Sequence, residues 1–388
     1  MALSFTDYLA EVKKGIREIS VHELKQLRER SPEQTLVDVR EPNETENGVV
    51  KGAHAVARGF LEMRIEGIQR DRSKPLILMC QGGTRSAMAA LSVQALGYTD
   101  VVSVAGGMGA WSDAGYPIDQ PKRLTKDELA RYSRQTILPQ VGEAGQLKLL
   151  NAKVLLVGAG GLGSPTALYL AAGGVGTLGI VDNDVVDTSN LQRQIIHREE
   201  TAGTPKVESA LSTLKALNAG VTVNTYNVRL TSENVMEIFK DYDIIVDGTD
   251  NFPTRYLIND ACVFLGLPNV HGSIYHFDGQ ATIFHNGDGP CYRCLYPEPP
   301  PAEMAPSCAE AGVLGAICGV VGTIQAVETV KLILGMPDTL TGRLVSFDAQ
   351  NMTFRELKVR RDPNCLVCSE NPEITELIDY EEFCTVTF

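Results

Sequence analysis

The sequence predicts a two-domain α/β protein. A small parallel α/β domain over residues 1–120 is followed by a larger doubly wound α/β domain with added antiparallel strands over 121–370, and by a C-terminal tail over 371–388. Three observations carry this reading. Short buried-strand runs alternate with helical stretches along most of the chain, the pattern of parallel sheets. A stretch with two prolines, "GYPIDQPKR" (115–123), splits the alternation into two sets. At 388 residues the chain is long for a single hydrophobic core.

In the first set, "SVHELKQLRER" (20–30) opens on a Ser-x-x-Glu capping box and predicts a helix. "TLVDVR" (35–40), "PLILMC" (75–80) and "VVSVAGG" (101–107) are short apolar runs that read as buried strands. The second set begins with another capping box, in "TKDELARYSRQ". Strands "KVLLVGAGG", "LGIVDND", "VTVNTYNV" and "DIIVDGTD" then alternate with helices. After "HGS" (271–273), "IYHFDGQATIFHN" reads as two further strands. A proline-rich loop spans 297–306, a long apolar helix is expected around 313–334, and two strands close the domain.

Hydrophobic residues make up 44 % of the chain and charged residues 21 %, an ordinary globular balance. No apolar run approaches the roughly 20 residues that span a bilayer, so no membrane association is expected. The N-terminus does not read as a secretion signal, and the expected location is cytoplasmic. A net charge of −13, most of it beyond residue 120, argues against nucleic acid and anionic membrane as partners. Nine cysteines in such a chain point to metal binding or catalysis rather than disulfides.

Cys80 ends a strand pattern and precedes a glycine-bearing turn and a helix, in "CQGGTRS". A thiol so placed faces backbone N–H groups and the positive end of a helix, which favour its thiolate. Four residues separate Cys80 from Arg85. The Cys-x5-Arg loop of cysteine phosphatases wraps a phosphate; this loop is tighter. It resembles the loop of the rhodanese family of sulfurtransferases, whose cysteine carries a persulfide. "LVDVREPNE" (36–44) and "VAGGMGAW" (104–111) resemble other landmarks of that family.

"VGAGGLG" (157–163) is a GxGxxG sequence between a strand and a helix, with Gly158, Gly160 and Gly163 at its glycine positions. Asp182 ends the next strand about 20 residues on, where the fingerprint's ribose acid stands. Alone, this fits a nicotinamide-dependent oxidoreductase with a regulatory module. Three features argue for nucleotidyl transfer instead. Arg193, in "TSNLQRQ", and Lys206, in "TPKVES", follow shortly and suit a triphosphate whose charge grows during the reaction. Asp250, in "DGTDN", suits a magnesium ion on the phosphate side. No hydride-transfer site is apparent.

With the paired CxxC segments below, these motifs resemble the adenylating domain of the MoeB/ThiF family of adenylyltransferases, relatives of the ubiquitin-activating enzymes. The resemblance spans roughly residues 125–370 and implies a Rossmann-like, ATP-binding adenylating domain. It implies that Gly161 approaches the phosphates, that Asp182 holds the ribose, and that Ser189, Asn190, Leu191, Gln192 and Arg193 line the site. Lys206 would contact phosphate, and Asp250 with Asn251 would serve Mg2+ and phosphate. Arg134, in "RYSRQ", matches an arginine that the family supplies across a dimer interface.

"CYRC" (Cys291, Cys294) and "CLVC" (Cys365, Cys368) are two CxxC knuckles, and four thiolates suit a tetrahedral, structural Zn2+. Cys308, in "APSCAEAG", matches a cysteine that forms a thioester in some relatives. Cys262, Cys318 and Cys384 are expected only to pack, and the six histidines show no ligand spacing.

The two resemblances together imply one reaction sequence. ATP and Mg2+ serve adenylation of the C-terminal glycine of a small ubiquitin-fold sulfur-carrier protein ending in Gly-Gly. Sulfur held on Cys80, directly or relayed through Cys308, then displaces AMP to leave a thiocarboxylate. A homodimer and an upstream sulfur donor such as a cysteine desulfurase are implied. Molybdenum cofactor biosynthesis is the expected pathway; thiamine, cysteine and tRNA-thiolation pathways use similar pairs.

Overall fold

The computed structural model describes residues 3–120, 123–285, 287–300 and 312–385. The chain divides after Arg123 into two compact units.

The first unit is a five-stranded parallel sheet in the order β1-β5-β4-β2-β3. The strands are β1 (Arg17–Ile19), β2 (Thr35–Asp38), β3 (His54–Ala55), β4 (Leu76–Met79) and β5 (Val101–Val104). β4 is buried on both faces, which explains its unbroken apolar sequence. Leu76 and Leu78 enter one core and Ile77 and Met79 the other, as the period of two requires. The helix Val21–Arg30 carries the expected capping box between Ser20 and Glu23. Part of the stretch read as a linker is built into this unit: Val49 pairs with Asp119, and Trp111 Nε1 donates to the Pro117 carbonyl at 3.0 Å.

The second unit holds an eight-stranded mixed sheet in the order β13-β12-β11-β10-β9-β6-β7-β8. β6 (Lys153–Val157), β7 (Thr177–Val181), β8 (Thr222–Tyr226), β9 (Ile244–Asp247) and β10 (Asn269–Tyr275) are parallel. β11 (Asp278–Phe284), β12 (Arg343–Asp348) and β13 (Thr353–Lys358) are added antiparallel. Strand order reverses between β6 and β9, which sets the crevice of a doubly wound sheet there.

Three expectations change. "HGS" does not precede β10 but lies within it, because Asn269, Val270 and His271 pair with β9. The helix Gly315–Leu334 has 20 residues and a mean hydropathy of 1.6, so by length and composition it could cross a membrane. It instead packs on β10, β11 and the helix Gly163–Gly173. It buries Gln325 and Glu328, and the Glu328 carboxylate accepts from Leu340 N and Lys331 Nζ, both at 2.6 Å. Polar residues interrupt its sequence without interrupting the helix. The segment past residue 370 also joins a core: Leu377, Ile378, Tyr380 and Phe383 pack with Tyr256, Leu257 and Tyr292.

Candidate functional site

In the first unit, Cys80 stands one residue past β4, fully buried, and its Sγ accepts from Gly83 N at 3.1 Å. Ser86 Oγ lies 3.5 Å from the same sulfur and receives a bond from Ser103 Oγ at 2.9 Å; both serines are buried. The loop leads into the helix Thr84–Ala95, whose N-terminus supplies positive potential beside the thiol. The "VAGGMGAW" segment clasps the loop from behind: Met108 N donates to the Cys80 carbonyl at 2.7 Å and Gly109 N to that of Gln81 at 2.9 Å. Gly107 must be glycine, since it has φ +54° and a Cβ there would lie 2.1 Å from the Cys80 carbonyl oxygen.

Arg85 does not extend freely over the loop. Both terminal nitrogens donate to Glu44, at 2.6 and 2.7 Å, and this pairing pulls the Glu44 carboxyl down to about 2. The other landmark, "LVDVREPNE", supplies a second pair. Buried Arg40 donates to the Asp38 carboxylate through Nε and Nη2, to Gly48 O, and to Gln81 Oε1 on the loop.

In the second unit, the glycine fingerprint lies at the carboxyl ends of β6, β7 and β9. A cleft of about 330 Å³ is lined there by Gly158, Gly160, Gly161, Asp182, Arg193, Lys206, Asp250 and Asn251. Gly163 stands behind it: a Cβ at this position would lie 2.0 Å from Gly158 O, so helix and strand approach this closely only over a glycine. Asp182 accepts from Ala159 N at 2.8 Å and from Asp184 N at 2.9 Å, which aims its carboxylate across the glycine turn. Lys206 is buried, and its Nζ bonds the exposed Asp184 carboxylate at 2.8 Å. Asn251 caps the helix Phe252–Leu265 by accepting from Thr254 N, and Asp250 beside it is exposed to the cleft.

Not every expected residue reaches the cleft. Of Ser189, Asn190, Leu191, Gln192 and Arg193, only Arg193 lines it. The others form the turn that leads there, held by Asp187, which accepts from Ser189 N and Oγ. Arg134 is exposed and does not line the cleft of its own chain. Cys308 lies outside the described residues.

The structure adds residues that the motifs did not single out. Arg255 and Gln194, both buried, line the cleft, and among the described residues Arg255 Nε and Gln194 Oε1 have no hydrogen-bond partner. Arg255 Nη2 donates to Thr249 O at 3.0 Å, and Asp247 accepts from Thr249 N and Oγ1, which together hold the turn carrying Asp250. His271 Nδ1 meets the other oxygen of buried Asp247 at 2.7 Å. Burial pushes the Asp247 carboxyl up, but His271, Arg255 and Thr249 outweigh it and hold it below its usual range. His197 supports the glycine turn from beneath, with Nε2 2.9 Å from Ala159 O; burial lowers its affinity for a proton and keeps it neutral.

The two knuckles meet. The sulfurs of Cys291, Cys294, Cys365 and Cys368 all lie within 4.8 Å of one another, with neighbours at 3.4, 3.5 and 3.8 Å. A tetrahedral zinc with Zn–S bonds of about 2.3 Å places its sulfurs about 3.8 Å apart, so the four thiols fit the ion. Hydrogen bonds among the four sulfurs pull the Cys365 and Cys294 thiols down and push those of Cys291 and Cys368 up, so the thiols share protons as one group; a bound metal takes them as thiolates.

Comparison with known proteins agrees with both halves. The ThiF family matches residues 132–367, and the rhodanese-like domain matches residues 20–114. The chain is 54 % identical over 267 residues to the sulfur carrier protein adenylyltransferase of Thermus thermophilus, covering 68 % of this chain and 98 % of that protein. It is 53 % identical over 265 residues to the adenylyltransferase and sulfurtransferase MOCS3 of Culex quinquefasciatus, covering 68 % and 60 %. The chain thus spans about 60 % of the length of the MOCS3 relatives it matches. The crystal structure of E. coli MccB with AMPCPP and MccA is similar in fold, with a TM-score of 0.57 at 22 % identity over 64 % of this chain and 75 % of that one. The glycine cleft, the four-cysteine cluster and these matches make the chain a member of the ThiF family that carries an N-terminal rhodanese-like domain.

Proposed function

We propose that this protein adenylates the C-terminal glycine of a small ubiquitin-fold sulfur carrier with ATP, and then supplies sulfur from Cys80 to form a carrier thiocarboxylate. The observation that carries this is the cleft in which Asp182, Arg193, Lys206 and Asp250 surround the Gly158–Gly161 turn. The name of the Thermus relative, a sulfur carrier protein adenylyltransferase, supports the choice of carrier.

In this reading Asp182 takes the ribose hydroxyls and the glycine turn admits the phosphates. A carboxylate oxygen of the carrier attacks the α-phosphorus, the bond to pyrophosphate breaks, and an acyl adenylate forms. Arg193 and Lys206 hold charge on the transferring phosphate, and releasing Asp184 frees Lys206 for that task. Asp250 would hold Mg2+, which would screen the phosphate charge when bound. The outer sulfur of the Cys80 persulfide attacks the acyl carbon and AMP leaves. A second thiol then attacks the Cys80 sulfur of the resulting acyl disulfide, so that the S–S bond breaks, the carrier departs as its thiocarboxylate and Cys80 is left in a disulfide with that thiol. The zinc cluster holds structure and takes no part in the chemistry.

We further propose a homodimer in which Arg134 completes the partner's cleft, a cytoplasmic location, and molybdenum cofactor biosynthesis as the pathway. The test is carrier-dependent ATP–pyrophosphate exchange, followed by mass spectrometry of the carrier for exchange of one oxygen by sulfur. Exchange that no Gly-Gly carrier stimulates would overturn the reading.

A further inference from the structure

Each cation at the Cys80 loop is already matched to a carboxylate. Arg85 gives both terminal nitrogens to Glu44. Arg40 is buried, bonds Asp38 through two nitrogens, and sends its remaining bonds to Gly48 O, Glu44 O and Gln81 Oε1. Glu41 lies near enough to Arg85 to act on its charge and adds a further negative group. The residues between Cys80 and Arg85 are Gln81, Gly82, Gly83 and Thr84, none of them charged. Among the described residues the loop therefore offers a donor the Gly83 amide and a helix end, and no spare guanidinium.

We propose that Glu44, by occupying Arg85, makes the Cys80 loop selective for hydropersulfide donors and against inorganic sulfane dianions such as thiosulfate. This rests on the reading of Cys80 as the sulfur-holding thiol. In both reactions the Cys80 thiolate attacks the outer sulfur of the donor. A hydropersulfide R–S–S⁻ yields Cys80–S–S⁻ and R–S⁻; thiosulfate yields Cys80–S–S⁻ and sulfite. The electron pair of the broken S–S bond leaves with the donor, and no further reactant is needed. The difference is electrostatic. Thiosulfate brings two negative charges to a mouth whose unmatched charge is negative, and the sulfite that leaves carries both. A hydropersulfide brings one, on a thiol whose own surroundings can offset Glu41.

The test uses the full chain and reads persulfide on the Cys80 peptide by mass spectrometry, with cysteine persulfide and thiosulfate as donors. In Glu44→Gln the loading rate from thiosulfate should rise roughly tenfold, while that from cysteine persulfide changes by less than about twofold. Glu44→Asp, which keeps the charge, should not raise the thiosulfate rate. A second readout needs no sulfur transfer: the ratio of Cys80 alkylation by anionic iodoacetate to that by neutral iodoacetamide should rise in Glu44→Gln, whereas a damaged loop would change both rates together. Equal thiosulfate rates in the two proteins with an unchanged alkylation ratio would overturn the proposal. An alkylation ratio that rises while Cys80 loads from neither donor would keep the electrostatic assignment of Glu44 and overturn the persulfide reading on which the donor selectivity rests.

Discussion

Arg293 and Asp260 form a buried two-point ion pair, with arginine Nε and Nη2 each 2.9 Å from a carboxylate oxygen. Arg293 stands between the two cysteines of the first knuckle, and Asp260 lies on the helix Phe252–Leu265. Tyr380 Oη donates to the same carboxylate at 2.9 Å. One carboxylate thus ties the cysteine cluster, the helix that follows Asp250 and the segment past residue 370.

Removing Asp260 leaves the Arg293 charge buried and unmatched. Asp260→Ala should cost about 3–5 kcal/mol of stability, read by urea unfolding. Tyr380→Phe removes one hydrogen bond to a charged group and should cost about 1.5–3 kcal/mol, with faster amide exchange over residues 377–385.

The cysteine cluster should behave as one site. Cys365→Ser should abolish stoichiometric zinc content, measured by elemental analysis. Chelation of zinc from the wild-type chain should lower its melting temperature and leave that of Cys365→Ser unchanged.

Gly163 sets how closely the Gly163–Gly173 helix meets β6. A Gly163→Ala methyl would lie 2.0 Å from Gly158 O and must push the glycine turn into the cleft. ATP should then no longer raise the melting temperature, a ligand effect that calorimetry reads directly.

Lys206→Ala removes a cation from the cleft and leaves Asp184 unpaired. Carrier-dependent ATP–pyrophosphate exchange should fall about a hundredfold or more. Asp187→Ala, which only loosens the turn outside the cleft, should cost far less in the same assay.

The Glu44–Arg85 pair gives the first unit a definite acid response. Glu44 ordinarily titrates near 4.5, and Arg85 holds it at about 2 in the folded chain. A lowered folded value means that its stabilisation is complete above about pH 4.5 and is lost as pH falls towards 2. Trp111, the single tryptophan, is buried in this unit and reports its unfolding by fluorescence. The stability difference between wild type and Glu44→Gln should be constant above pH 4.5 and shrink steadily below it.

The sequence by itself determined the features that depend on residue type and short spacing. The capping boxes at Ser20 and Thr125, the two-sided apolar run of β4, and the glycine turn with Asp182 on the next strand end are local signals with local causes. The four cysteines were legible because only their identity and paired spacing mattered. The turn from Ser189 to Gln192 shows the limit of such signals, since a motif names the segment that approaches a site but not which side chain faces it. The tertiary structure alone decided that Arg193, Gln194 and Arg255 face the cleft, that His197 and His271 support its floor, and that Glu44 closes on Arg85. It also decided that Tyr380 meets Asp260, and that the apolar Gly315–Leu334 helix lies on the sheet. These partners stand far apart in the chain, and the packing of whole strands and helices brings them together. Their pairing therefore depends on how each element is rotated and where it ends, which no short window of sequence contains.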